Sequence, residues 1–300
     1  KVVEPDSTSL HEFFSRMEFR RLTTRFASQK SAVDTDLEVS RVENGLSKNV
    51  GHSVSVQEEP GLYKGFNLVR EVVELKAAIK KLDGADQVAI EVFTGFRDPH
   101  RADLAGIALA VNAGEVFYFS FGHVSGDPIL EVGQEGVENL PSIKSNDLKP
   151  LLDILADKNI KKIGIDLKSA KIVLDRLGVP LEGIFFDVGV AAYLLDPGSR
   201  SYDLEDLCME WLDLALPGYE TVVGSGKKKI SFLEVDQQTA GEYGGRRQAA
   251  ILGLIQNMVP VIDRQGILGL LTELEIPLLK VLAEMELAGI AIDSDIFAKM

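Results

Sequence analysis

The chain has 300 residues, 45% hydrophobic and 26% charged, which is an ordinary balance for a soluble globular protein. Its 32 basic and 46 acidic residues leave a net charge of −14, which argues against a main surface built as a phosphate groove but not against a carboxylate-rich, metal-dependent nuclease. No apolar run of about 18 residues and no secretory leader occur, and a single cysteine, Cys208, excludes an internal disulfide and a cysteine-built zinc site.

Leu10, Phe13, Phe14, Met17, Phe19 and Leu22 recur at roughly helical spacing, with Arg16, Arg20, Arg21 and Arg25 between them. They predict a short amphipathic helix ending some preceding domain. Residues 29–61 are rich in Ser, Glu, Asp and Val without a sustained period and read as a linker. Structure is expected to resume at Tyr63-Lys64-Gly65-Phe66, with an amphipathic helix through Val69, Val72, Val73, Leu75 and Ile79.

Strands are predicted at 88–93, 104–111 and 116–121, the last two joined as a hairpin by Asn112-Ala113-Gly114-Glu115. Helices at 147–156, 167–177, 188–195 and 203–212 then alternate with short strands at 162–165 and 184–186. Gly178 and Pro180 stop one helix, and Asp196-Pro197-Gly198 another. Residues 236–300 read as largely helical, with a long amphipathic helix at 270–287. A meander followed by strand–helix alternation indicates an α/β fold with a mixed sheet flanked by helices. Asp166 and Asp187 are read as helix caps, His123 as a hairpin-end residue without a partner, and Lys227-Lys228-Lys229 as a solvated loop before a DNA contact.

Five strings, in order, carry a resemblance. They are the helix at 10–22; Phe186-Asp187-Val188 leading into Ala191–Pro197; Tyr202-Asp203-Leu204-Glu205-Asp206-Leu207 with Trp211-Leu212; Gly224-Ser225-Gly226-Lys227-Lys228 before Ile230-Ser231-Phe232; and Glu275-Ile276-Pro277-Leu278 with the stretch to Asp293. Together they resemble the central region of family A DNA polymerases, whose 3′–5′ exonuclease domain has a ribonuclease H-like (DnaQ-like) fold; the resemblance implies a strand at Ile230-Ser231-Phe232. The resemblance implies the end of a 5′-nuclease domain at 1–28, a linker at 29–62, an exonuclease-like domain at 63–260 and the start of the polymerase thumb at 261–300. It also implies a cytoplasmic, monomeric parent polymerase that uses Mg²⁺ in DNA replication and repair. That parent would meet DNA and pack this region against its own 5′-nuclease and polymerase domains. No palm motif occurs in these residues, so polymerisation is expected of the parent alone.

Active members of the family hold two divalent metals on four acidic residues, because two dications a few ångströms apart repel unless carboxylates neutralise them. At the matching positions this chain has Glu91, Phe93, Ala170 and Arg247. One carboxylate remains, and a guanidinium replaces another. The expectation is a degenerate centre with no catalytic residue, metal or cofactor of its own. Arg247 or Arg246 is expected to neutralise Glu91, with Phe93 filling the vacated volume. The rival is an active exonuclease on relocated carboxylates, Glu91, Asp166, Asp187 and Glu242. Between these stands a DNA-binding module without chemistry, with Lys227, Lys228 and Arg246 as candidate contacts.

Overall fold

The computed structural model describes residues 63–124 and 137–299. The expected helix at 1–28 and linker at 29–62 lie outside the described residues. What is described belongs to one compact unit, residues 57–300.

The strands are β1 (Asn67–Val69), β2 (Gln87–Thr94), β3 (Leu104–Asn112), β4 (Glu115–Ser120), β5 (Lys161–Gly164) and β6 (Ile184–Asp187). The helices are α1 (Val72–Leu82), α2 (Lys149–Ala156), α3 (Leu167–Arg176), α4 (Val188–Leu195), α5 (Leu204–Leu212), α6 (Glu220–Val223), α7 (Gln237–Arg264), α8 (Ile276–Ala288) and α9 (Ser294–Lys299). The sheet runs β1-β4-β3-β2-β5-β6. The β2–β3–β4 meander is antiparallel, and β1, β5 and β6 join in parallel. The sequence therefore gives the right class, a mixed sheet flanked by helices.

The period-2 alternation of β2 decides what faces what. Val88 and Ile90 point into one core layer with Leu75 of α1, Leu151 of α2 and Leu174 of α3. Ala89 points the other way, with Leu207 of α5 and Leu254 of α7. Glu91 and Phe93 follow Ala89 at two-residue steps and so share its face. Beside them β3 offers Ala108 and Ala110, fully buried small side chains that let α7 lie close to the sheet.

Helix α7 begins at an Asp236 cap, whose carboxylate accepts the Thr239 N–H at 3.0 Å. Its glycines are places of close approach. A Cβ on Gly241 would overlap the Phe66 ring, and one on Gly245 would lie 2.7 Å from the Tyr63 hydroxyl. The expected junction after residue 260 falls inside this helix, which continues through Pro260 to Arg264.

Three expectations are corrected. The segment at Val69 is a strand, because a reciprocal cap between Glu71 and Glu74 starts the helix only at Val72. Ile230-Ser231-Phe232 is no strand. Ser231 Oγ and the Phe232 N–H both donate to the Gly95 carbonyl, and a Ser231–Glu234 capping box turns the chain into a 3₁₀ turn, Phe232–Glu234. The helix expected at 270–287 is wide-turned over Leu270–Glu275 before α8, since Pro277 has no N–H for the Glu273 carbonyl.

Candidate functional site

Residues of α3, α4, α5, α6, α7 and α8 join β2, which carries Glu91 and Phe93, around an open cleft of about 990 Å³. All four degenerate positions, Glu91, Phe93, Ala170 and Arg247, line it. Tyr243 and Arg247, one turn apart on α7, look down on the strand.

Arg247 is the hub of the cleft. Its Nε donates to Glu91 Oε1 at 2.8 Å and to Oε2 at 3.0 Å, and Nη2 lies 2.8 Å from Oε1. Nη1 donates to Glu205 Oε1 on α5 at 2.9 Å and to the Tyr243 hydroxyl at 3.1 Å. The guanidinium thus joins β2, α5 and α7. Burial disfavours its charge, but Glu91, Tyr243 and Glu205 outweigh that and hold its pKa above the ordinary value. Burial pushes the Glu91 carboxyl up, and the charge and hydrogen bonds of Arg247 oppose the rise. The expected neutralisation of Glu91 is made by Arg247 and not by its neighbour. Arg246 pairs with Glu242 at 2.9 Å and lies over the Tyr63 ring, away from the cleft.

Phe93 is buried and fills the space beside this pair, as expected. Its ring stacks on Phe232 at 5.3 Å between centroids, and Phe232 stacks on Tyr219 at 6.0 Å. The Arg97 guanidinium lies over Tyr219 at 5.0 Å, ending a column that climbs from β2 to the cleft mouth. Gly244 makes room for the ring, since a Cβ there would sit 3.2 Å from Phe93 Cε2.

The remaining carboxylates of the rival set are occupied by the backbone or lie elsewhere. Asp187 accepts the Leu167 N–H at 2.8 Å through Oδ2, and those of Gly189 and Val190 at 2.9 and 3.2 Å through Oδ1. It therefore caps α4, as read, and also pins the start of α3. Burial pushes its pKa up to about 6 against those three donors. Asp166 caps α3 from a left-handed backbone with φ +50°, accepting the Ser169 N–H at 3.4 Å. Glu242 accepts from Tyr63 and Arg246. Among the described residues no cluster of three or more His, Cys, Asp or Glu side chains is arranged to hold a metal ion. The two-dication arrangement implied by the resemblance does not fit these donors: Phe93 and Ala170 offer no oxygen, and the Glu91 oxygens face a guanidinium.

Several participants escape sequence reasoning. Glu205 stands in the sequence only as part of the Tyr202–Leu207 string, with nothing to mark it as a partner of Arg247. His123, expected to lack a partner, is buried. Its Nδ1 lies 2.8 Å from the Val235 carbonyl and its Nε2 2.8 Å from the Tyr118 hydroxyl. β4, buried from Val116 to Ser120, encloses Tyr118 and so brings its hydroxyl to the ring. Lys227 and Lys228 are exposed in a 3₁₀ turn, Gly226–Lys228, outside the cleft.

Comparison with known proteins agrees with this geometry. Residues 137–253 match the family model described as DNA polymerase I, ribonuclease H-like domain. The chain is 26% identical to the DNA polymerase I of Pseudomonas aeruginosa over 77% of its own length and 24% of that protein's. It is 32% identical to the DNA polymerase I of Geobacillus stearothermophilus over 70% of its length and 21% of that protein's. The structure of the POL domain of Pol1 from M. smegmatis, in complex with DNA primer-template and dNTP, superposes with a TM-score of 0.56 at 26% identity. That match covers 76% of this chain and 33% of the other. The chain thus spans about a quarter of the length of these curated relatives. It belongs to the DNA polymerase I family, as the ribonuclease H-like exonuclease region of its bacterial members.

Proposed function

We propose that this region is a non-hydrolytic exonuclease-like domain, a structural spacer in a DNA polymerase I that acts in replication and repair. The observation that carries the reading is the Arg247 guanidinium bonded to both oxygens of Glu91, where a nuclease centre needs free carboxylate oxygens for divalent cations. A buried bidentate pair cannot also serve a dication without separating two charges in a poorly solvated site. The absent donors at Phe93 and Ala170 support the same reading. Polymerisation of dNTPs with Mg²⁺, contact with primer-template DNA and packing against 5′-nuclease and polymerase domains are proposed for the whole protein on its kinship.

The test is incubation of the purified chain with 5′-labelled single-stranded DNA and Mg²⁺ or Mn²⁺, resolved on a denaturing gel. An intact strand is expected. Stepwise shortening that Glu91→Ala abolishes overturns the reading in favour of relocated ligands.

A further inference from the structure

One buried titratable group lies outside the cleft and takes no part in its chemistry. His123, which follows the end of β4, is 2% exposed. We propose that His123 is an acid-sensitive clasp: neutral, it fixes the aromatic column of the cleft to the sheet, and on taking up a proton it lets that column go.

The hydrogen bonds fix the neutral form of the ring. Nδ1 lies 2.8 Å from the Val235 carbonyl, which can only accept, so Nδ1 carries the proton. Nε2 then turns its lone pair to the Tyr118 hydroxyl at 2.8 Å. Burial holds the Tyr118 phenol well above its ordinary range, so it stays an O–H donor. A proton on Nε2 would set two donors face to face. The tyrosyl oxygen can accept from the ring only by turning its own proton away, and among the described residues that hydroxyl has no other partner. Tyr118 is fully buried and Gly106 lies against its hydroxyl, so the displaced proton is stranded.

No neighbouring carboxylate offsets the new charge by contact. Tyr118 faces the ring from β4. The 3₁₀ turn Phe232–Glu234 brings the Phe232 ring, 6.0 Å away between centroids, while Glu234 turns to the Ser231 N–H. At the start of α7 the Asp236 carboxylate is committed to the Thr239 N–H. From the segment before α2 comes Asn139, which is uncharged, and Glu138 beside it faces Arg70 at 3.9 Å. Burial lowers the His123 pKa from its ordinary value of 6.5, against the Val235 and Leu233 carbonyls and the charge of Asp236.

The clasp gathers three segments. Asn139 accepts the His123 N–H at 3.1 Å and donates to the His123 carbonyl at 2.8 Å. Gln237 of α7 donates to Ser120 at 2.7 Å, and Ser120 donates to Asn139 at 2.8 Å. Val124 donates to the Leu233 carbonyl at 2.8 Å, in the same turn whose Phe232 stacks on both Phe93 and Tyr219. Opening at His123 therefore frees the middle ring of the column. The sign follows from linkage. The closed form binds the proton less well than the open form, so the ratio of closed to open is level above about pH 6.5. Below that it falls by up to about tenfold per pH unit, until the closed form itself takes the proton.

The experiment is amide hydrogen exchange of the full chain between pH 7.5 and 5, with rates corrected for intrinsic exchange, beside a ¹⁵N NMR titration of the His123 ring. The reporters are Val124, Phe232 and Val235, whose N–H groups bond the Leu233, Gly95 and Phe232 carbonyls. Ile90 and Leu109, paired in the β2–β3 ladder, are the reference. Expected are an Nδ1–H tautomer at pH 7.5 and reporter protection that falls by about tenfold per pH unit below about 6.5 while the reference holds. His123→Asn keeps a donor for Val235 but cannot titrate in this range, so its reporter protection should be flat with pH. An Nε2–H tautomer, reporter protection level to pH 5 in wild type, an equal loss at the reference amides, or the same pH-dependent loss in His123→Asn each overturns the clasp. The tautomer and the wild-type profile decide the matter even where His123→Asn fails to fold.

Discussion

Arg247→Met keeps the bulk of the side chain and deletes its charge, leaving Glu91 and Glu205 without the N–H groups they accept now. The Glu91 side chain is 13% exposed, and its remaining neighbour of note is the Gln248 amide at 3.5 Å. Removing one partner of a buried ion pair costs about 3–5 kcal/mol. For a unit of this size that is a fall in Tm of about 6–20 °C.

The loss should carry a pH signature. Burial already raises the Glu91 carboxyl, and Arg247 opposes it. Without Arg247 the folded variant keeps a proton on Glu91 to higher pH than the unfolded chain does. Its stability is therefore fullest below the unfolded value of about 4.3 and falls as pH rises through the folded value. Urea denaturation followed by circular dichroism between pH 5 and 8 reads this directly. Glu91→Gln in the Arg247→Met background should recover about 1–3 kcal/mol, because it removes the stranded charge. A penalty below about 1 kcal/mol that is flat with pH, with no recovery in the double variant, refutes the reasoning.

Three further outcomes follow from the same geometry. Asp187, pushed up to about 6 by burial, contributes about 3 kcal/mol that is complete below about pH 4 and lost as pH rises through about 6. A carboxyl-carbon NMR titration with a midpoint under 4 would mean that its three N–H donors outweigh burial. Phe93→Ala should cost about 3–5 kcal/mol by opening the stacked column, and Gly241→Ala about 1–3 kcal/mol by displacing the Phe66 ring; urea midpoints close to wild type for either would deny those contacts. The Cys208 thiol, pushed up to about 12 by burial, should react with Ellman's reagent more than about 100-fold slower in the folded chain than in urea at pH 8, and comparable rates would place it at the surface.

The strand–helix alternation was legible because β3 is a continuous buried apolar run, β5 a short buried one, and α2 and α3 carry an amphipathic helical period. The four site positions were named from the resemblance of the strings at Ile90–Phe93, Asp166–Ala170 and Tyr243–Arg247, and the fold brings all four to one cleft. Glu205 was not, because it pairs with Arg247 across 42 residues of sequence and local pattern says nothing about such a reach. The three residues of β1 are too few to show a period, and their place beside β4 is a tertiary outcome. The turn at Phe232 was misread because Ser231 finds its partner in Gly95, at the far end of β2. Arg246 and Arg247 are indistinguishable as a sequence, but one α-helical step of about 100° sends them to different neighbours.

The site positions are also coupled, which bears on whether one substitution could rebuild a metal centre. Arg247→Asp would place a carboxylate near Glu91 and Glu205, yet Phe93 and Ala170 would still supply no oxygen. The product of such a change is ruled by Coulomb repulsion: three carboxylates in a poorly solvated site without the cation that joined them. Phe93→Glu would in turn remove the base of the Phe232–Tyr219 column and leave Gly244 with no ring to accommodate. Each replacement has thus become a packing or pairing partner of another residue, Phe93 with Gly244 and Phe232, and Arg247 with Glu91 and Glu205. A centre rebuilt in this way is held by its own contacts, so the inactivity proposed for it and its stability trace to the same residues.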